Sequence, residues 1–184
     1  MIVCIGWGSL IWCQKALPVL GGWRADGPDL QVEFARESRD KRITLVICET
    51  APAVTLLWTV LDVPTLEDAK QALARREGIS ADNIRNSIGY WSKTGSSRHL
   101  GVDAISTWAE AKGADEIVWT GLKPKMGNDY RIPAVEEVID HLASLEGTAR
   151  DAAEEYVRLA PRQIVTPYRT AIEGSLGWTA TGLI

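Results

Sequence analysis

The chain opens on Ile2-Val3-Cys4-Ile5, an unbroken apolar run that empties directly into Gly6-Trp7-Gly8-Ser9. The run reads as a short buried strand that leaves through a glycine turn. Gly6 and Gly8 lack Cβ and can take φ > 0. Consecutive N–H groups would then point at one place and form a nest for a carboxylate or a phosphate. A plain glycine turn after an edge strand is the other reading of the same residues.

The 184 residues fit one domain, 1–184, with room for a sizeable core. Apolar residues make up 46% and charged residues 24%, which argues against disorder and fibrous repeats. A net charge of −4, without a long basic run, removes the electrostatic footprint of a nucleic-acid binder. The glycine-broken apolar start lacks a basic flank and fits neither a signal peptide nor a membrane span, so a cytoplasmic protein is expected. Cys4, Cys13 and Cys48 lack C-x-x-C spacing and have only His99 and His141 to join them. Reduced thiols among apolar neighbours are expected, with no metal site. Eight tryptophans are an excess that core packing explains, apart from Trp7 and Trp12 beside the turn.

Further strands are expected at Leu30–Ala35, Ile43–Cys48 and Val54–Leu61, as three neighbours joined by tight turns. The charged stretch Arg36–Arg42 reads as a solvated hairpin loop, though arginines at a sheet end can also hold a carboxylate. Thr65 as N-cap, with Glu67 and Asp68 in the first turn, predicts a helix from 65 to 77. Asp82–Ser97 reads as connecting loop, Asp103–Lys112 as helix, and Ile117–Thr120 as strand. Helices at Glu136–Leu145 and Ala149–Leu159 make residues 123–184 a mostly helical C-terminal extension. The fold class is therefore mixed α/β, of the α+β kind.

Known chemical signatures are mostly absent. A dinucleotide site would need a third glycine where Ile11 stands, and a nucleophile elbow would need G-x-S-x-G, which Trp7-Gly8-Ser9-Leu10-Ile11 does not supply. No local signature supports a Cys–His enzyme built on Cys4 or Cys13.

Two segments resemble one family. Ile5-Gly6-Trp7-Gly8-Ser9-Leu10-Ile11-Trp12 is similar to the G-Y-G-S-L-I-W opening of the γ-glutamylcyclotransferase superfamily, in its ChaC-type branch. Leu73-Ala74-Arg75-Arg76-Glu77 resembles that family's Y-L-x-x-R-E segment, and Phe34–Leu45 is loosely similar to its strand-turn-strand around S-x-x-H-R-G. The resemblance covers residues 1–80, extends in outline over 81–122, and has Trp7 where the family has tyrosine.

This resemblance implies a small β-barrel flanked by helices. It also implies a cofactor-free enzyme that cleaves a γ-glutamyl compound to 5-oxoproline and a free amine. Gly6, Trp7, Gly8, Ser9 and Leu10 would bind the small-molecule substrate, and Glu77 would be the catalytic acid/base, a role favoured by partial burial of its carboxylate. Without the resemblance, Glu77 beside Arg75 and Arg76 reads as a solvated surface charge. The alternative function is a non-catalytic pocket of the same fold for a small carboxylate or amide. Tyr168 and Arg169 in the tail either close over a pocket or, as the stronger reading, belong to an extension that covers a sheet edge or makes a homodimer contact.

Overall fold

The apolar run at the start is strand β1 (Ile2–Gly6), followed by β2 (Val19–Arg24), β3 (Asp29–Glu37), β4 (Ile43–Ile47), β5 (Ala53–Thr55) and β6 (Leu57–Leu61) in a computed structural model that describes residues 1–182. Helix α1 (Leu66–Glu77) and the short α2 (Ile84–Ser87) lead into β7 (Ile88–Ser92) and β8 (Gly95–Ser96). Then come α3 (Val102–Lys112), β9 (Glu116–Thr120), α4 (Val135–Ser144), α5 (Gly147–Leu159) and α6 (Pro167–Leu176). The chain is of mixed α+β class. Its contacts divide it into two units, one made of Met1–Gly6, Leu10–Leu30 and Thr55–Leu122, the other of Trp7–Ser9, Gln31–Val54 and the chain from Lys123 onward.

The first unit is built on a six-stranded sheet in the order β2-β6-β1-β9-β7-β8. β1 pairs antiparallel with β6 and parallel with β9, so its backbone groups are satisfied on both edges. Cys4 faces α1 and shares a buried cluster with Leu10, Leu61, Ala69, Leu73, Ile88 and Val118. Its neighbour Ile5 points the other way, beside Trp58, whose ring meets Trp108 of α3 edge-on with centroids 5.2 Å apart. Complete burial of Leu73 by itself stabilises the packing of α1 by about 1.5–3 kcal/mol.

Both ends of α1 follow from local chemistry. Thr65 Oγ1 accepts the Asp68 N–H at 3.1 Å, and Gly78 leaves the helix at φ 67°, its N–H bonded back to the last carbonyls. The expected helix at 65–77 is therefore present, and Glu77 is its final residue.

The segment expected to be loop, Asp82–Ser97, holds α2, β7 and β8 instead. β7 pairs antiparallel with β9 from Ile88↔Thr120 to Ser92↔Glu116. Gly89 sits opposite Trp119 because the indole lies across it: a Cβ there would be 2.2 Å from Trp119 Cε2. Glycine looked like a break in the sequence, yet it makes this strand possible.

In the second unit β3 and β4 pair antiparallel, within a sheet ordered β4-β3-β5. The third expected strand, Val54–Leu61, is divided: its start lies in β5 beside β3, whereas β6 belongs to the six-stranded sheet. β3 also runs through Arg36 to a buried Glu37, which leaves only residues 38–42 for the charged hairpin loop. The six-stranded sheet has β2 and β8 as its edges, and no closed barrel is found among the described residues.

The helical tail is anchored by two buried charges. Glu33 of β3 accepts the Phe34 N–H at 2.8 Å, the Tyr168 N–H at 3.2 Å and the Thr166 hydroxyl, placing a carboxylate at the N-terminus of α6. Arg169, 2% exposed, donates to the carbonyls of Pro161 at 2.6 Å, Ile164 at 2.9 Å and Ala160 at 2.9 Å beyond the end of α5. Its guanidinium is thereby committed to holding α5 and α6 together, so Arg169 does not close over a pocket. Tyr168 likewise donates its hydroxyl to Pro133 O at 2.7 Å.

Two outcomes are expected. Gly89→Ala should lose about 1–3 kcal/mol in urea unfolding, because Trp119 must leave its place; an unchanged midpoint refutes this. Burial pushes the Glu33 carboxyl above its ordinary 4.5, against hydrogen bonds from Thr166, Phe34 and Tyr168. The folded chain thus holds this proton more tightly than the unfolded one, and the associated stability is present below about pH 4.5 and lost as pH rises through the folded-state value. Unfolding of Glu33→Gln and the parent protein, compared from about pH 4 to pH 7, should show the variant gaining relative to the parent as pH rises.

Candidate active site

β1 delivers the chain to the turn at Gly6, and packing explains the glycines. A Cβ on Gly6 would stand 2.7 Å from Cη2 and Cζ3 of Trp23 and 3.3 Å from Cδ1 of Ile11, so the Trp23 ring lies against the backbone here. A Cβ on Gly8 would stand 2.4 Å from the hydroxyl oxygen of Tyr156. Neither glycine has positive φ. The expected left-handed nest is therefore corrected: Gly6 and Gly8 are required by the close approach of rings, while the backbone stays in ordinary regions.

The five turn residues divide between the units. Trp7, Gly8 and Ser9 group with the second unit. Trp7 is 3% exposed and gives its only side-chain donor, the indole N–H, to Leu45 O at 3.0 Å. Tyr156 of α5 accepts the Leu45 N–H at 3.2 Å, packs edge-to-face on Phe34 and lies under the Arg42 guanidinium, which is 5.5 Å from its ring centroid. Ser9 is half-buried.

Gly6 and Leu10 belong to the first unit, as does Glu77. Leu10 is buried in the cluster that joins Cys4 to α1. At the end of α1, Arg76 turns inward: Nη2 and Nε donate to the carbonyl of Cys13 at 2.6 and 3.2 Å, and Nη1 donates to Glu77 Oε1 at 2.7 Å. The Arg76 side chain is 5% exposed and that of Glu77 19%. The expectation of a solvated charge pair is thus replaced by a buried guanidinium beside a partly buried carboxylate. Burial raises the Cys4 thiol far above its ordinary range, with the Glu77 charge raising it further and Arg76 opposing. The Glu77 carboxylate therefore acts on β1 itself, two residues before Gly6.

The sequence reading named Glu77 and missed Arg76 and the Cys13 carbonyl. The signal lay in the helical stripe Ala69, Ala72, Leu73 and Arg76, whose last member occupies a core-facing position. Of the cysteines, Cys4 and Cys48 are free and buried as expected, whereas Cys13 is free and exposed. An open cleft of about 470 Å³, lined by Trp91, Lys93, Ser106 and Glu110 among others, includes none of the turn residues and not Glu77. Among the described residues no group of three or more His, Cys, Asp and Glu side chains is placed to hold a metal ion. Nor is any described helix long and apolar enough to cross a membrane.

Comparison of the chain with protein-family models, with curated proteins and with solved structures finds no match.

Native protein treated with a chromogenic disulfide reagent should react at a single thiol, Cys13, and at all three cysteines after denaturation. Rapid reaction of two or three thiols in the folded state would contradict the burial of Cys4 and Cys48.

Proposed function

We propose that this protein is a γ-glutamylcyclotransferase-like enzyme that cleaves a γ-glutamyl compound by intramolecular aminolysis. The observation that carries the reading is Glu77: a partly buried carboxylate closing α1, held through Oε1 by a buried arginine that also binds the backbone at Cys13. Such a carboxylate is oriented, partly desolvated and still reachable, as a proton shuttle has to be.

In this reading the turn Gly6–Leu10 takes the substrate carboxylate through ordinary turn amides, since its glycines form no left-handed nest. Glu77 removes a proton from the α-ammonium. The freed amine attacks the γ-carbonyl carbon, a new C–N bond closes the five-membered ring, and the original γ C–N bond breaks. Glu77 passes two protons in turn to the leaving nitrogen, the one taken from the α-ammonium and the one the ring nitrogen sheds after attack, so the products are 5-oxoproline and a free amine in its ammonium form. No electrons change hands and no water is consumed, so the step calls for orientation and proton transfer, with no cofactor. Orientation of amine against carbonyl can supply several kcal/mol of the barrier. The reading carries with it a cytoplasmic location and the small γ-glutamylcyclotransferase-like β-barrel, of which the six-stranded sheet would be a part.

Incubation with a panel of γ-glutamyl amino acids, γ-glutamylamines and glutathione should yield 5-oxoproline by mass spectrometry. Glu77→Gln should lower the rate by about 10²- to 10⁴-fold while its circular dichroism and melting stay close to those of the parent. Full activity in folded Glu77→Gln sinks the assignment. Saturable binding of a γ-glutamyl compound without any turnover would instead make this a binding protein.

A further inference from the structure

We propose that Arg76 is the positioning residue for the Glu77 carboxylate, locking its orientation to the main chain just beyond the Gly6–Leu10 turn; this rests on the reading of Glu77 as general acid/base. A guanidinium is planar, and its five N–H groups keep a fixed fork. In Arg76 two arms of that fork, Nε and Nη2, converge on one acceptor, the Cys13 carbonyl. With that edge pinned, the direction of Nη1 is no longer adjustable, and Nη1 carries Glu77 Oε1 at 2.7 Å. The loop carbonyl, the guanidinium and the carboxylate therefore form one relay of fixed geometry, which presents the second oxygen, Oε2, to the reacting amine.

Burial makes the relay stiff. Arg76 is 7% exposed as a residue, so water competes little for its donors, and a desolvated guanidinium is costly wherever its partners are withdrawn. The adjacent Arg75 provides the contrast: it carries the same charge at the same helix end, but it is exposed. A general electrostatic contribution at the C-terminus of α1 would be shared by both arginines. A positioning role belongs to Arg76 alone, because only its fork reaches Cys13 and Glu77.

The test compares Arg76→Gln, Arg76→Lys and Arg75→Gln with the parent protein, measuring 5-oxoproline release from the γ-glutamyl panel and scaling each rate to the folded fraction found by thermal unfolding. For Arg76→Gln, kcat should fall by about 10- to 100-fold while KM changes by less than about threefold, since a misdirected carboxylate slows the step more than it weakens binding. Arg76→Lys, which keeps the charge and has donors but lacks the rigid planar fork, should recover part of the loss, and Arg75→Gln should match the parent. An unimpaired kcat in folded Arg76→Gln, or an equal fall in Arg75→Gln, overturns the positioning role while leaving the function of Glu77 standing. A parent protein that releases no 5-oxoproline from any member of the panel overturns the reading of Glu77, and the role of Arg76 falls with it.

Discussion

Strand β1 is the constraint from which the first unit is built. It lies between β6 and β9, hydrogen-bonded on both edges and packed on both faces, with Val3, Cys4 and Ile5 fully buried. A strand held this way cannot shift by one residue without exchanging every side chain between faces. Its last residue, Gly6, is therefore delivered to one place, and the turn begins there. The same register sets Cys4 against α1 and brings the charge of Glu77 to bear on the strand.

Buried charges do the remaining fastening, always with full hydrogen-bond partners. Arg76 ties the end of α1 to the Cys13 carbonyl, Arg169 gathers the carbonyls that follow α5, and Glu33 receives the first turn of α6. Each is a polar group sent where an apolar one could also pack; Arg76 and Glu33 join segments far apart in sequence, and Arg169 closes the short connection between α5 and α6. An ionic group buried with its partners contributes direction more than stability, because desolvation offsets much of the attraction. For Arg76 that direction is what gives Glu77 its proposed chemistry.

Much of the local structure was readable in the residues themselves. Thr65, Glu67, Asp68 and Gly78 are chemical start and stop signals, and α1 begins and ends where they place it. Lys112-Gly113 closes α3 in the same way. The failures had definite physical causes. β7 was hidden because Gly89, a poor strand former alone, is covered by Trp119 from thirty residues away. α6 carried a legible cap in Thr166-Pro167, but its place against β3 is set by Glu33, which no local pattern connects to it. Of the candidate site, Glu77 was legible through a motif, whereas the inward turn of Arg76 depended on an acceptor at Cys13.

Side-chain caps, helix-ending glycines and the spacing of apolar residues determined where β1, α1, α3 and β9 would lie. These effects act over a few residues and need no knowledge of the rest of the chain. Tertiary structure alone decided that β6 would leave its expected neighbours for β1, that Gly6 and Gly8 would serve Trp23 and Tyr156 rather than a left-handed nest, and that Arg76 would be buried beside Glu77. Those outcomes depend on shape and on the pairing of desolvated groups, which exist only once distant segments have met.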